Sequence, residues 1–350
     1  MTVPQPVVRL WSEFVGDPVQ FVATFWPQYR LASYQRQILR SLTTNTETWV
    51  HSANEMGKSF TAALAAIWWF TTRKSKVVTL STTKDQLKGI LWGEIGELVR
   101  SARMGGRRFD FGFVETDLEL RYPDEAGDPT PKYYLRGRVA EKVESLQGNH
   151  LPMLYDDAAG AEIGTVLFVV EEASGVDDAF FPAIETQRHC SLFIGNPLRD
   201  QGTFAAVCKA GDQRHPGAAD RLFRKVIHVS GEDSPNVIVG RTWRAAGRAG
   251  SPPRRGPHGQ VWQVPGILSY ETFLEREATL RPSEKRTRLY GLFPEEAGQR
   301  MFPSAWLDAA QRLGALLQAR IRQRGRPMGR PFALGVDASE GGGDKSAWCV

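Results

Sequence analysis

Between residues 48 and 195 the sequence alternates short apolar runs with longer segments whose apolar positions recur every three or four residues. The short runs predict strands at Thr48 to His51, Lys76 to Leu80, Lys132 to Leu135, Thr165 to Val170 and Ser191 to Ile194. The longer segments predict helices over Lys58 to Phe70, where no breaker follows Gly57, and over Lys84 to Arg100, where Leu87, Ile90, Leu91, Ile95 and Leu98 fall at helical spacing. Strand and helix in alternation predict an α/β domain with a mostly parallel central sheet. Five apolar residues in succession, Val166 to Val170, fit a central strand covered on both faces. Residues 101 to 131, rich in glycine, proline and acid, read as an excursion at the sheet edge.

The pattern changes outside this core. Residues 1 to 30 mix aromatics and prolines and read as a small helical lead-in, with the α/β unit running from 31 to 230. Residues 231 to 330 read as a Pro/Gly/Arg-rich segment, a helical subdomain and a linker. Within them, Gly231 to Gly266 is expected to be exposed or mobile, and helices are expected near Tyr270 to Leu280 and Ala305 to Arg320. The final stretch, FALGVDASEGGGDKSAWCV, gives a strand, Asp337 at its end, a glycine turn with Asp344, and the opening of a second strand. It reads as the first piece of another domain.

Composition narrows the class. With 350 residues, 41% of them hydrophobic, the chain is long enough for one large core and a second unit. Its 3 cysteines are far apart and lack metal-ligand spacing, which argues against a disulfide framework or a cysteine-rich zinc site. No stretch approaches the roughly 18 apolar residues of a membrane span, so a soluble, intracellular protein is expected. The net charge is +5, but Arg241 to Arg255 and Arg320 to Arg330 each hold five arginines and no acid. Such runs suit a phosphate backbone or an exposed, solvated linker.

The candidate chemistry begins in WVHSANEMGKSF, residues 49 to 60. A short strand, a turn and a helix opening at Gly57-Lys58-Ser59 form the context of a phosphate-binding loop. The backbone N–H groups of Asn54, Glu55, Met56, Gly57, Lys58 and Ser59 are expected to cradle a β-phosphate, Lys58 to reach the β- and γ-oxygens, and Ser59 to hold Mg²⁺. Ser52, followed by Ala53, stands where the usual pattern has its first glycine. Downstream, Glu171 and Glu172 end the apolar strand, where ligands of α/β sheets collect. Glu171 is expected to face Mg²⁺ through water and Glu172 the water that attacks the γ-phosphorus. Two adjacent carboxylates repel unless a cation or proton lies between them. Asn196, after the next strand, is placed to sense the γ-phosphate, while Tyr34 and Gln35, ahead of the first strand, are suited to stacking on adenine and reading its edge.

Taken in order, YQRQIL (34 to 39), SANEMGKSFTAAL (52 to 64), SLQGNH (145 to 150), LFVVEEASGV (167 to 176), LFIGNP (192 to 197), HVSGEDSPNV (228 to 237), PGILSYETFLEREA (265 to 278), YGLFPEE (290 to 296) and FALGVDASEGGGDKSA (332 to 347) resemble the large terminase subunits of tailed phages. These are ATP-driven motors that package double-stranded DNA into procapsids. The resemblance implies a P-loop NTPase domain of the ASCE type, with a helical lead-in, a linker and a C-terminal nuclease resembling ribonuclease H. It places Tyr34 and Gln35 in the adenine-side motif, Lys58 and Ser59 at the phosphate and Mg²⁺ positions, Glu172 as catalytic glutamate and Asn196 in the coupling motif. Asp337 matches the first nuclease metal ligand and Asp344 the later aspartate of the same turn, for a site using two divalent metals, Mg²⁺ or Mn²⁺. The implied partners are double-stranded DNA, the portal protein, the small terminase subunit and further copies in a ring on the portal, with no membrane. The implied location is the host cytoplasm, transiently at the procapsid.

Two residues depart from that family's pattern. Glu171 stands where aspartate is usual, one methylene longer, and Ser52 replaces a first glycine that the family often lacks. An arginine finger is expected from this chain or a neighbour, with Arg103, Arg107, Arg136 and Arg138 as candidates. Since Asp337 and Asp344 are the only nuclease acids identified here, the 350 residues are expected not to cut DNA. A helicase-like nucleic-acid remodelling ATPase shares the loop, the acids and the glutamine, and a docking component that binds nucleotide without hydrolysing it shares the loop.

Overall fold

The structure is a computed structural model that describes residues 10–123, 128–141, 143–146, 148–156, 161–211, 223–254 and 263–294, with short pieces at 312–316, 319, 335–337 and 347–349. The chain divides into two units, Met1–Glu295 and Glu296–Val350.

In the first unit, α1 (Pro18–Phe25) and α2 (Ser33–Thr44) lead into β1 (Glu47–Ser52) and the long α3 (Lys58–Thr72). There follow β2 (Ser75–Ser81), a short α4 (Lys84–Gln86), a π-turn over Leu87–Leu91 and α5 (Trp92–Ser101). The excursion contains a small hairpin, β3 (Arg103–Met104) with β4 (Arg107–Arg108), and the strands β5 (Val114–Thr116) and β6 (Glu119–Arg121). Next come β7 (Tyr134–Val139), a second hairpin of β8 (Leu154–Asp156) and β9 (Ala161–Ile163), β10 (Thr165–Glu171), α6 (Phe180–Glu185), β11 (Cys190–Gly195), α7 (Gly202–Ala210) and β12 (Arg224–Val229). The unit closes with α8 (Pro235–Ala245), α9 (Tyr270–Thr279) and α10 (Pro282–Glu284), which runs into a π-turn over Lys285–Leu289.

Eight strands form one sheet in the order β12-β1-β11-β10-β2-β7-β6-β5. From β12 to β7 every pair is parallel, and the β7–β6 and β6–β5 pairs are antiparallel. The protein is therefore mixed α/β with a mostly parallel central sheet. Parallel strands need covered faces, and alternation along β10 supplies both cores. Leu167 and Val169 join the cluster under α1, α2 and α3, whereas Val166, Phe168 and Val170 join the one under α6 and α7.

The tertiary structure adds to three sequence expectations. The lead-in is part of the core: Phe21, Phe25 and Trp26 are fully buried, and Trp68 Nε1 donates to Phe14 O at 2.8 Å. The expected Lys84 to Arg100 helix forms, running from Lys84 to Ser101 with a π-helical segment at Leu87–Leu91 that leads directly into Trp92. Its indole donates to Thr79 Oγ1 at 3.0 Å and lies where a Cβ on Gly137 would be 2.6 Å away. Finally, Gly231 to Gly266 is not exposed throughout. Ser234 caps α8, and Asn236, Val237 and Gly240 are buried, with Gly240 leaving room for the ring of Tyr270.

The strand expected at Lys132 to Leu135 runs instead from Tyr134 to Val139, because its charges are accommodated. Arg136 donates twice to Glu119 on the neighbouring β6, at 2.7 and 3.1 Å. In the second unit, β13 (Gly335–Asp337) pairs antiparallel with β14 (Ala347–Cys349). Asp344 lies outside the described residues, as does most of the helix expected at Ala305 to Arg320.

Candidate functional site

The parallel strands β1, β10 and β11 deliver their C-terminal ends to one edge of the sheet, with β11 between the other two. This gathers the loop after Ser52, the acids Glu171 and Glu172, and Asn196. Ligands of open α/β sheets bind at this edge.

The loop after β1 turns through left-handed conformations at Glu55 (φ 58°) and Gly57 (φ 68°) before α3 begins at Lys58. Gly57 is required twice over, since a Cβ there would also meet Gln35 Nε2 at 2.8 Å. The N–H groups of Glu55, Met56, Gly57, Lys58 and Ser59 have no protein acceptor among the described residues, so they are open donors at a helix N-terminus. The sequence reading begins this cradle at Asn54, and the structure begins it at Glu55. Asn54 N–H is taken by Arg288 O at 2.8 Å, and its side chain accepts from Asn196.

Asn196 ties the edge together. Its Nδ2 donates to Ser52 O and to Asn54 Oδ1, both at 2.7 Å. Ser52 is buried and donates to Ala53 O at 3.0 Å. Lys58 Nζ folds back onto Ala53 O at 3.1 Å. Burial holds this ammonium's pKa below its usual range, against the pull of Glu172, Glu171 and Glu55.

Ser59 Oγ donates to Glu171 Oε1, which joins the loop to β10 directly. Burial pushes the Glu171 carboxyl up to about 7, helped by the Glu172 charge and opposed by the Ser59 hydrogen bond and Lys58. Its other oxygen, Oε2, is buried and unpartnered. A hydroxyl and a carboxylate with a spare buried oxygen suit a hard cation that takes only one or two protein ligands and completes its shell with phosphate and water. Glu172 has a left-handed backbone (φ 52°) and stays partly exposed. Gly195 lets β11 pass close beneath it, for a Cβ there would be 3.0 Å from Ala173 N.

Tyr34 and Gln35 lie under the loop and are buried. Tyr34 donates to Met56 O at 3.0 Å, and Gln35 Nε2 donates to Thr61 Oγ1 at 3.2 Å while its Oε1 accepts from Ala32 N at 2.9 Å. In this structure both side chains support the loop. Of the arginine-finger candidates, Arg103 and Arg107 are exposed on the β3–β4 hairpin, Arg136 is held by Glu119, and Arg138 lies near the C-terminal end of β7. Asp337 ends β13, in the second unit.

A strap missed by the sequence reading crosses the loop. Gly291 (φ 63°) packs so closely that a Cβ would be 2.6 Å from Ala53 N and from Val229 O. On either side of it, His51 Nδ1 meets Gly291 O at 2.8 Å and His228 Nε2 meets Tyr290 O at 2.7 Å, with the two rings stacked 4.7 Å apart. Leu268 N–H donates to Glu55 O at 2.8 Å, and Arg276 on α9 pairs with the Glu55 carboxylate.

No protein-family model matches the chain, and no curated protein does. Solved structures do. Two structures of the large terminase ATPase domain of Thermus phage P74-26, one a point mutant, are similar to this chain over 79% of its length and 98% of theirs, at 17% identity and TM-score 0.47. The large terminase of a thermophilic bacteriophage in complex with ADP is similar over 75% of this chain and 54% of its own, at 10% identity and TM-score 0.47.

Proposed function

We propose that this chain hydrolyses ATP at the loop ending in Ser59 and uses the cycle to drive double-stranded DNA into a phage procapsid, as the large terminase subunits it resembles in sequence do. The observation that carries the hydrolytic half is the Ser59–Glu171 hydrogen bond, which brings the phosphate loop to the acid-ended strand. A chance Gly-Lys-Ser on a surface turn has no reason to make this contact.

The open N–H groups of Glu55 to Ser59 would receive the β-phosphate, and Lys58 would leave Ala53 O for the β- and γ-oxygens. Ser59, and Glu171 through water, would hold Mg²⁺, which would supply neutralisation of phosphate charge when bound. Glu172, partly exposed beside this position, orients the attacking water and accepts its proton. Asn196 would pass loss of the γ-phosphate to Ser52 and Asn54, the residues it already binds.

Lys58→Ala and Glu172→Gln should each lower ATP turnover by about 10²- to 10⁴-fold, the range for removing a positioned proton acceptor or charge. Unchanged turnover in either variant would overturn that residue's role. The DNA-translocating half rests on the ordered motifs, as do the portal protein, the small terminase subunit and a ring of copies as partners. Asp337 and Asp344 are assigned on the same basis to metal-dependent cleavage by a complete nuclease domain.

A further inference from the structure

We infer that Arg276 is a ligand for the terminal phosphate of a nucleoside triphosphate, held in reserve by Glu55 until that phosphate arrives. The inference rests on the proposal that the loop binds ATP and adds a residue that the loop and acid motifs do not contain.

Arg276 lies on α9, which the chain fixes against the loop at several points. Leu268 N–H donates to Glu55 O, Ile267 Cγ1 would be 3.9 Å from a Cβ on Gly57, and Phe273 on the same helix is buried. One guanidinium nitrogen, Nη2, is paired with Glu55. The other, Nη1, is buried and has no partner. A buried guanidinium N–H without an acceptor is costly to keep, and an anionic oxygen is what its forked geometry fits.

Glu55 is the present holder of that charge and a poor final one. It sits in the left-handed part of the loop with its side chain 51% exposed, its own N–H among the open donors and its carboxylate on Arg276. A triphosphate entering the loop brings several negative charges towards this carboxylate and competes with it for Arg276. The exchange would move a positive charge from the loop's own acid to the oxygen where charge develops in hydrolysis. A diphosphate lacks that oxygen, so Arg276 should favour ATP over ADP.

The test is binding of fluorescent ATP and ADP analogues to the full chain and to Arg276→Ala, Arg276→Lys and Glu55→Gln. Arg276→Ala should weaken ATP binding about 10- to 100-fold and ADP binding less than about threefold, in line with loss of a charge-assisted pair. Arg276→Lys should fall between, because its ammonium keeps the charge without the fork. Glu55→Gln should raise the ATP-to-ADP affinity ratio, because the competing carboxylate is gone. Equal weakening for both nucleotides in Arg276→Ala would make the arginine only a prop for the loop and overturn the inference, as would an unchanged ratio in Glu55→Gln. If Arg276→Ala does not fold, the other two variants decide. A wild-type chain that binds neither nucleotide would remove the ATP reading itself, whereas one that binds both without discrimination would remove only this inference.

Discussion

His51 carries the clearest single-residue consequence of the way β1 is buried. Its ring lies between His228 and Phe293, and burial drives its pKa from 6.5 down to about 4, with the neighbouring His228 adding to the shift and the Gly291 carbonyl opposing it. The folded state therefore prefers the neutral ring. The stability this gives is fully present above the unfolded value near 6.5 and is lost as pH falls towards 4. At 1.36 kcal/mol per pKa unit the loss is about 3 kcal/mol. Urea denaturation between pH 4 and pH 7 should show that slope in the wild type and a flatter one in His51→Gln. An equal slope would place the titration elsewhere. Glu172 is the other residue whose backbone matters, since a left-handed conformation costs a residue with a Cβ roughly 1–2 kcal/mol. Its position immediately after the central strand is consistent with strain kept for function.

Among the elements, the strap from Lys285 to Phe293 matters most, because it lies across the loop that the sequence singles out. Asn54 N–H bonds Arg288 O and the His51 ring meets Gly291 O, so the backbone of the strap is tied both to the end of β1 and to the loop that follows it. Gly291→Ala places a methyl against two backbone atoms at 2.6 Å and requires a left-handed Cβ residue. It should cost about 2–4 kcal/mol in urea denaturation and weaken nucleotide binding, because the strap can relieve the clash only by lifting off Ala53. Retained stability would mean that the strap can shift without penalty. The helix over Lys84–Ser101 shows the same dependence on context: it forms where the apolar spacing puts it, and its π-helical segment at Leu87–Leu91 leads into Trp92, which packs against Gly137.

At the scale of the whole molecule, the basic balance changes meaning once its partners are seen. In the run from Arg241, Arg241 pairs with Glu232 and lies over Phe273, and Arg248 lies over Trp243. This run is partly engaged in holding α8 and α9 together. If the chain is a duplex-DNA motor, DNA without ends should raise its ATP turnover, and the stimulation should fall steeply between about 50 and 200 mM salt as counterion release weakens binding. Stimulation by single strands alone would favour the helicase-like alternative.

The sequence by itself determined the strands β1, β2, β10 and β11 to within a residue or two, because each is a short run carrying β-branched, aromatic or other apolar residues that a parallel sheet buries on both faces. It also located Gly57 to Ser59 between a strand and a helix, and Glu171, Glu172 and Asn196 at strand ends, because these positions follow from local order. The tertiary structure alone decided which strands are neighbours, and so that Ser59 meets Glu171. It also turned Tyr34 and Gln35 inward beneath the loop, closed Asn54 off with Arg288, and brought Arg276 to Glu55 across 221 residues of sequence. These are contacts between residues far apart in the chain, whose geometry no local pattern of polarity records.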